Sequence, residues 1–460
     1  MSLFGNFSIA RAGMSATQAR AQTASSNIAN VSTPGYVRRE TTLGQSGPTG
    51  VTVTGTSRVQ DNVLVQTRRD AQSQSARSEI IDTVLSRTLS AFGQPGSTSG
   101  VFGAFTQFQS DLQTLKSTPE STASQSITVD SLKDLARALT QASGALQVER
   151  TSADAKIASD IELANQTTSD IFDLNVDIRS ANANDRDTAP LLDQRDQLLD
   201  RLAQMIPTNV DYDDSGAVRV RTVSGLTLVG ATQHDIEFTP ANRVGPLDTT
   251  TNAGGRLSIP TLDGRPIGPG SDGHDITEGR IAANLDLRDT VLPAQAATLD
   301  DFAFDLASAF GALGEPLLLD NGVIVDALNK TGLSQRLTVN PLIDPVVGGS
   351  PSRLRDGLAA ATPGAPSDDS VLSQLNDTLA PFSDTLATVI SNVSTDSLRA
   401  QRIHSGNQAR EITLVEADAQ LSAVDLDYEL QSLLAIEQAY TANARVIQTV
   451  SDMLDTLARI

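Results

Sequence analysis

Apolar positions recur every seven residues at both ends of the chain. Near the N-terminus Phe7, Met14, Ala21 and Ile28 form one stripe, and Leu3, Ala10, Thr17, Ala24 and Val31 form its companion. Near the C-terminus Leu426, Leu433, Tyr440, Ile447 and Leu454 make one stripe, and Ile436, Asn443, Val450 and Leu457 make a second. A repeat of seven keeps an apolar stripe aimed at a partner helix through supercoiling. The spacing predicts amphipathic helices over residues 1–31 and 421–460 that pair as a coiled coil. Two stripes on each helix exceed what one pairing can hide, so neighbouring copies are expected to cover the rest. Short helices without packing are marginal in water, so in an isolated subunit these ends are expected to be largely disordered.

Between the ends the period changes several times. The first helix is predicted over about Phe7–Asn30 and is stopped by Thr33-Pro34-Gly35, where proline cannot continue a helix. Residues 41–60 alternate Thr and Gly with apolar residues and predict an extended connector or short hairpin. Helical spacing predicts helices at about 61–92, 104–116, 120–145, 148–182 and 191–206, and the last stops before Pro207. Over 208–280 the helical period is lost and Ala217–Val223 and Gly225–Val229 read as strands, which predicts a small inserted β domain. Helical spacing returns at 280–312, followed by a loop-rich stretch at 316–366 and long helices at about 368–400 and 403–460. The fold class expected is mainly α with an inserted β domain. Its parts are a terminal coiled coil of residues 1–45 plus 415–460, a helical bundle of 46–207 plus 281–414, and an outer β domain of 208–280.

Charge sharpens this picture. Before Glu40 there are four arginines and no acid, whereas 421–460 holds six acids against Arg445 and Arg459. Exposed pairs contribute little stability each, but this complementarity favours pairing of the two ends. The formal net charge of −21 argues against nucleic acid and against an anionic membrane surface. No apolar run reaches the roughly 20 residues needed to span a bilayer, and the N-terminal segment does not read as a cleaved secretion signal. With 39% apolar and 3% aromatic residues, the interior must be built from Leu, Ile, Val and Ala, which suits long packed helices. The absence of cysteine excludes disulfides, thiolate catalysis and zinc–thiolate sites.

Candidate chemistry is thin. The string Gly268-Pro269-Gly270-Ser271-Asp272-Gly273 fits G-x-G-x-x-G but has neither a preceding strand nor a following helix, so it reads as a surface turn. Asp211, Asp213, Ser215 and Gly216 imitate the start of a calcium loop, yet its twelfth position is Thr222 rather than Glu, which favours a hairpin turn. His234, His274 and His404 give too few ligands for a metal centre, and no Ser–His–acid arrangement has an elbow motif. No catalytic centre, metal or cofactor is expected.

The run Ser25-Ser26-Asn27-Ile28-Ala29-Asn30-Val31-Ser32-Thr33-Pro34-Gly35-Tyr36 resembles the N-terminal signature of the flagellar rod, hook and hook-associated proteins. Leu191-Leu192-Asp193-Gln194-Arg195-Asp196-Gln197-Leu198, Asn284–Pro293, Leu337–Pro341 and Leu433–Tyr440 are similar to stretches of the hook-associated members that join hook to filament. The resemblance covers nearly all helical parts and is weakest over 208–280. It implies a structural subunit of the bacterial flagellum at the hook–filament junction, secreted through the flagellar type III apparatus. Implied partners are further copies in a helical ring or layer, the hook protein, the neighbouring hook-associated protein on the filament side, and an export chaperone holding the C-terminal helix.

The residues expected to carry assembly are Phe7, Met14, Asn27, Ile28, Asn30, Pro34, Gly35, Tyr36, Leu426, Leu433, Ile436, Tyr440, Asn443, Ile447, Val450, Leu454 and Leu457. Helix capping accounts for Pro34 and Gly35. Asn27 and Asn30, on successive turns, are expected to hydrogen-bond across a subunit contact as well. A hook or filament subunit is the alternative in the same class, and a secreted hydrolase with a β-domain site is the alternative from another.

Overall fold

The computed structural model describes residues 3–45, 50–94, 96–251, 254–268, 270–271 and 276–458, without the side chains of Leu3, Leu457 and Ala458. His274, three residues of the Gly268–Gly273 string (Pro269, Asp272 and Gly273) and the Leu457 side chain therefore lie outside the described residues. The chain divides into two compact units, one of residues 1–72, 165–234 and 408–460 and the other of 73–164 and 235–407.

The first unit begins with α1 (Leu3–Ala29), the hairpin strands β1 (Arg39–Gln45) and β2 (Val51–Arg58), and the start of α2 (Asn62–Phe92). It continues with the end of α4 (Thr122–Ala183), α5 (Ala189–Met205) and the antiparallel sheet β3 (Thr208–Tyr212), β4 (Val218–Thr222) and β5 (Thr227–Val229). The end of α10 (Ser370–Ser422) and all of α11 (Leu426–Ala458) complete it. Strand β4 buries Val218, Val220 and Thr222 alternately. Asn175 on α4 fixes its start, donating to the Val218 carbonyl (2.8 Å) and accepting from its N–H (3.0 Å). The Asp211–Gly216 segment is a hairpin turn. Asp213 Oδ1 accepts from the Ser215 and Ala217 N–H groups, and Asp211 pairs with Arg221 across the strands.

The second unit holds the rest of α2 and α4, α3 (Gly100–Ser117), the short strands β6 (Ile236–Glu237), β7 (Thr261–Leu262) and β8 (Arg265–Pro266), and α6 (Gly279–Asp286). A π turn at Leu287–Val291 leads into α7 (Leu292–Ala312), which carries Pro293 in its first turn. Strands β9 (Leu318–Asp320) and β10 (Leu337–Val339) pair antiparallel, and α8 (Leu333–Arg336) and α9 (Arg353–Asp356) are single turns. Its core is closed. Phe105 and Phe302 meet edge to face at 6.0 Å between ring centroids, Phe108 and Phe310 at 6.5 Å, and Leu132, Leu139, Leu306 and Ile390 are completely buried among them.

The β segments of 208–280 form two small sheets, β3–β5 in the first unit and β6–β8 in the second. Two expectations need correction. The helices expected at 120–145 and 148–182 are one helix of 62 residues. Gly144 weakens helix propensity there, but Leu146 and Arg150 on the next turns are buried, and packing overrides propensity. The break expected near 401 falls at 423–425 instead, where Asp425 Oδ1 accepts from the Asp427 and Tyr428 N–H groups and starts α11.

The motif at 284–293 has a structural reason. Arg288, in the π turn, is fully buried and donates to Asp154 (2.6 Å), Asp289 (2.8 Å) and the Ser258 carbonyl (2.9 Å). Arg150 donates to the Arg288, Gly245 and Asp248 carbonyls, so the irregular segment before β7 is tied to α4 by charge-assisted bonds.

Candidate assembly surface

The two ends of the chain do meet. Helices α1 and α11 pack antiparallel, with Asn27 bonded to Glu429 and Gly13 facing Asn443 so closely that a Cβ on Gly13 would sit 2.8 Å from Asn443 Nδ2. The interface uses one stripe from each helix. Ala10, Thr17 and Ala24 are buried on α1, and Ile436 and Val450 on α11, with Asn443 half-buried between them. Small residues on α1 let the helix axes approach, so the pair is tight and narrow. Glu429 extends the α11 stripe one heptad upstream and is itself 3% exposed. An acid at a heptad position was the signal that sequence reasoning missed.

The other stripe of each helix stays open. Gln18 and Ala21 of α1 and Leu430, Leu433, Leu434 and Tyr440 of α11, beside Thr17 and Ile436 of the closed seam, line an apolar groove with Glu437. Leu434 is 61% and Tyr440 44% exposed, Leu426 is exposed, and Met14, Ile28, Leu433, Ile447 and Leu454 are only half-buried. Phe7 at the N-terminal end of the same stripe is also exposed.

The Asn27–Tyr36 turn works inside the fold, which corrects the expectation of a cross-subunit bond from Asn27. Its side chain is 1% exposed and every polar site is filled within the chain. Nδ2 donates to the Arg39 carbonyl (2.9 Å) and to Glu429 Oε1 (2.8 Å). Oδ1 accepts from Tyr36 Oη (2.9 Å) and the Arg39 N–H (3.1 Å). Asn30 is half-buried and donates to the Ser26 carbonyl one turn back (2.9 Å). Pro34 is exposed, and its carbonyl accepts from Gln197 Nε2 (3.0 Å). Gly35 has φ +76°, and a Cβ there would run into the Gln197 side chain, so two independent constraints require glycine.

Charge behaves differently from the expectation as well. Among the described residues no ion pair joins α1 to α11; the cations just after α1 turn elsewhere. Arg39 pairs with Asp193 (3.2 Å) and stacks over Tyr36, while Arg38 pairs with Glu40 and lies over the Tyr428 ring. Arg58 bridges Asp193 (2.8 Å) and Asp196 (2.5 Å), Arg69 bridges Asp196 (3.3 Å) and Asp200 (2.7 Å), and Arg68 joins Asp200 and Asp418 (both 2.9 Å). This ladder links the foot of the hairpin to α5, α2 and the end of α10. Burial pushes the Asp196 carboxyl up, but Arg58 and Arg69 outweigh it and hold that group below the usual carboxylate range. Burial dominates at Asp193 and Asp418 and pushes both up in spite of their arginines. Asp193, Asp196 and Asp200 sit at i, i+3 and i+7 of α5, so the Leu191–Leu198 motif is a stripe of acceptors for this ladder.

Among the described residues no three His, Asp or Glu side chains stand close enough to hold a metal ion. His234 bonds Thr232 (3.0 Å), and His404 lies on α10 in the second unit. No described helix is long and apolar enough to cross a membrane.

Residues 85–315, half of the chain, match the helical domain of the flagellar hook-associated protein FlgK. Residues 7–36 match the flagella basal body rod protein family, and 420–460 match the C-terminal part of the flagellar basal body rod FlgEFG proteins. The chain is 24% identical to flagellar hook-associated protein 1 of Escherichia coli, over 98% of each chain. It is 23% identical to that of Bacillus subtilis, over 99% of this chain and 97% of that one. A solved flagellar hook junction protein from Burkholderia pseudomallei is similar with a TM-score of 0.44 at 23% identity, covering 56% of this chain and 45% of that chain.

Proposed function

The chain belongs to the flagellar hook-associated protein FlgK family, and on that premise we propose that it is a structural subunit, not an enzyme, of the junction between hook and filament. It is exported and assembled outside the cell as part of the flagellum. The observation that carries the mechanism is the open pair of stripes. One stripe of α1 and one of α11 satisfy each other, and the remaining two flank an apolar groove that a lone subunit leaves in water. Exposed apolar surface of this kind marks a protein–protein contact. Its occupants in the assembly are further copies of the chain, with the hook protein below and the filament-side hook-associated protein above. Before export, the same exposed face of α11 is the surface for a chaperone. Met14, Ile28, Leu426, Leu433, Tyr440, Ile447 and Leu454 are the residues this reading assigns to contacts outside the subunit. Ile436, Asn443 and Val450 are assigned to the intramolecular seam.

Deleting residues 426–460 tests the reading. The second unit should remain folded by calorimetry while cells carrying only the truncated chain release their filaments. Normal filament attachment by that truncation would remove the proposal.

A further inference from the structure

The paired helices have two unlike flanks. On one, the β1–β2 hairpin lies along α1: Thr23 bonds Thr41 (2.8 Å), and Gly50 at the foot of β2 lies close against Ile9. On the other is the groove, lined by Ala21, Leu434 and Tyr440. At 100° per residue, Thr23 and Ala21 stand about 160° apart around α1, with α11 packed between them. Each flank exposes apolar side chains to water. On the hairpin flank these are Ile9, Leu43 and its cross-strand partner Val53, all between 37% and 43% exposed.

The flanks also differ in charge. Arg20 is exposed on the hairpin flank, beside Leu43, and no described side chain pairs with it. Glu437 of the groove lining is exposed, equally without an ion pair. The antiparallel register sets their heights. Asn27 is opposite Glu429 and Gly13 opposite Asn443, so Arg20, midway, is level with Ile436 and hence beside Glu437 along the helix axis. A neighbour displaced sideways, with little change in height, would bring its Arg20 to the Glu437 of the first copy. Two complementary patches on opposite flanks of one body generate a head-to-tail contact, the kind that closes rings or builds helices.

We propose that the groove flank of one copy receives the hairpin flank of the next, with Leu43 and Val53 entering between Leu434 and Tyr440 and Arg20 meeting Glu437. This rests on the reading that the chain polymerises through its terminal helices, and it names the two surfaces that meet.

The test is charge reversal in the full chain, expressed in cells lacking the native copy. Arg20→Glu and Glu437→Arg should each reduce the number of attached filaments at least tenfold, and the double reversal should restore most of them. Hydrogen exchange on each purified variant reports whether the second unit is intact. As a second arm, Leu43→Cys with Leu434→Cys in the otherwise cysteine-free chain should give disulfide-linked multimers on oxidation of assembled flagella. Wild-type attachment by both single reversals, failure of the double reversal to restore attachment, or absence of linked multimers would each overturn the proposed contact. If the reversals assemble normally while the deletion of 426–460 does not, only this contact falls. If the deletion also assembles, the functional reading falls with it.

Discussion

The second unit and the α1–α11 pair of the first use their apolar residues in opposite ways. In the second unit, phenylalanines and leucines of α3, α4, α7 and α10 converge until Phe105, Phe108, Leu132 and Phe310 are wholly covered. In the pair, Ala10, Thr17 and Ala24 of α1 meet Ile436, Asn443 and Val450 of α11, and the large residues Leu434, Tyr440 and Phe4 face water. Burying a large side chain stabilises by about 1.5–3 kcal/mol. The second unit draws that stability from its own chain, and the α1–α11 pair leaves part of it to be gained on assembly. Away from that pair, the first unit has an apolar core of its own, with Ile171, Ile178, Leu199, Leu202, Val220 and Leu228 completely buried, and beside it a ladder of arginines and aspartates. Such a ladder fixes geometry well and stabilises less than an apolar core of similar volume.

The largest effect expected from breaking this contrast is in the closed core. Phe302→Ala should lower the stability of the second unit by about 3–5 kcal/mol in calorimetry. A loss under 1 kcal/mol would show that this core is not the closed one described. Next is the ladder. Asp196→Asn removes the shared partner of Arg58 and Arg69 and should cost about 3 kcal/mol at neutral pH, since a buried cation is left short of a partner.

The pH dependence has a definite sign at that residue. A carboxyl held below its unfolded value contributes stability that is fully present above about pH 3.9 and lost as pH falls through the folded value. Asp193 and Asp418 act in the opposite direction. Their raised values mean that the charged forms oppose folding at neutral pH, and this cost disappears on acidification. In Asp196→Asn the loss of stability below pH 4 should therefore be shallower than in the parent, as acid titration followed by circular dichroism would register.

Asn27→Ala should cost about 2 kcal/mol, because it strands the buried Glu429 carboxylate and frees the Tyr36 hydroxyl. Hydrogen exchange should show the loss at the α1–hairpin junction. The smallest stability change belongs to Tyr440→Ala, within about 0.5 kcal/mol as for other exposed sites. Filament attachment should nevertheless fall severalfold. A large stability loss from that variant would mean that Tyr440 packs inside the subunit.

Much of this was legible in the residues. The heptads at both ends announced two helices that pair, and the turn at Thr33–Gly35 was readable from proline and glycine alone, because these act through local backbone geometry. The acids of α5 at helical spacing were visible in Asp193, Asp196 and Asp200, though their partners Arg58, Arg68 and Arg69 lie more than a hundred residues away in sequence. The single helix at 122–183 was not readable, since Gly144 suggests a break that only the burial of Leu146 and Arg150 overrules.

The sequence by itself determined that each terminal helix carries two stripes, a matter of period and composition within a few turns. Only the tertiary structure decided which stripe closes inward. Ala10, Thr17 and Ala24 admit a helix axis more closely than Phe7, Met14 and Ile28 do, and Asn27 finds a complete set of partners only when Glu429 and the hairpin stand beside it. That choice depends on shape and on hydrogen-bond satisfaction between segments four hundred residues apart, which no local pattern encodes.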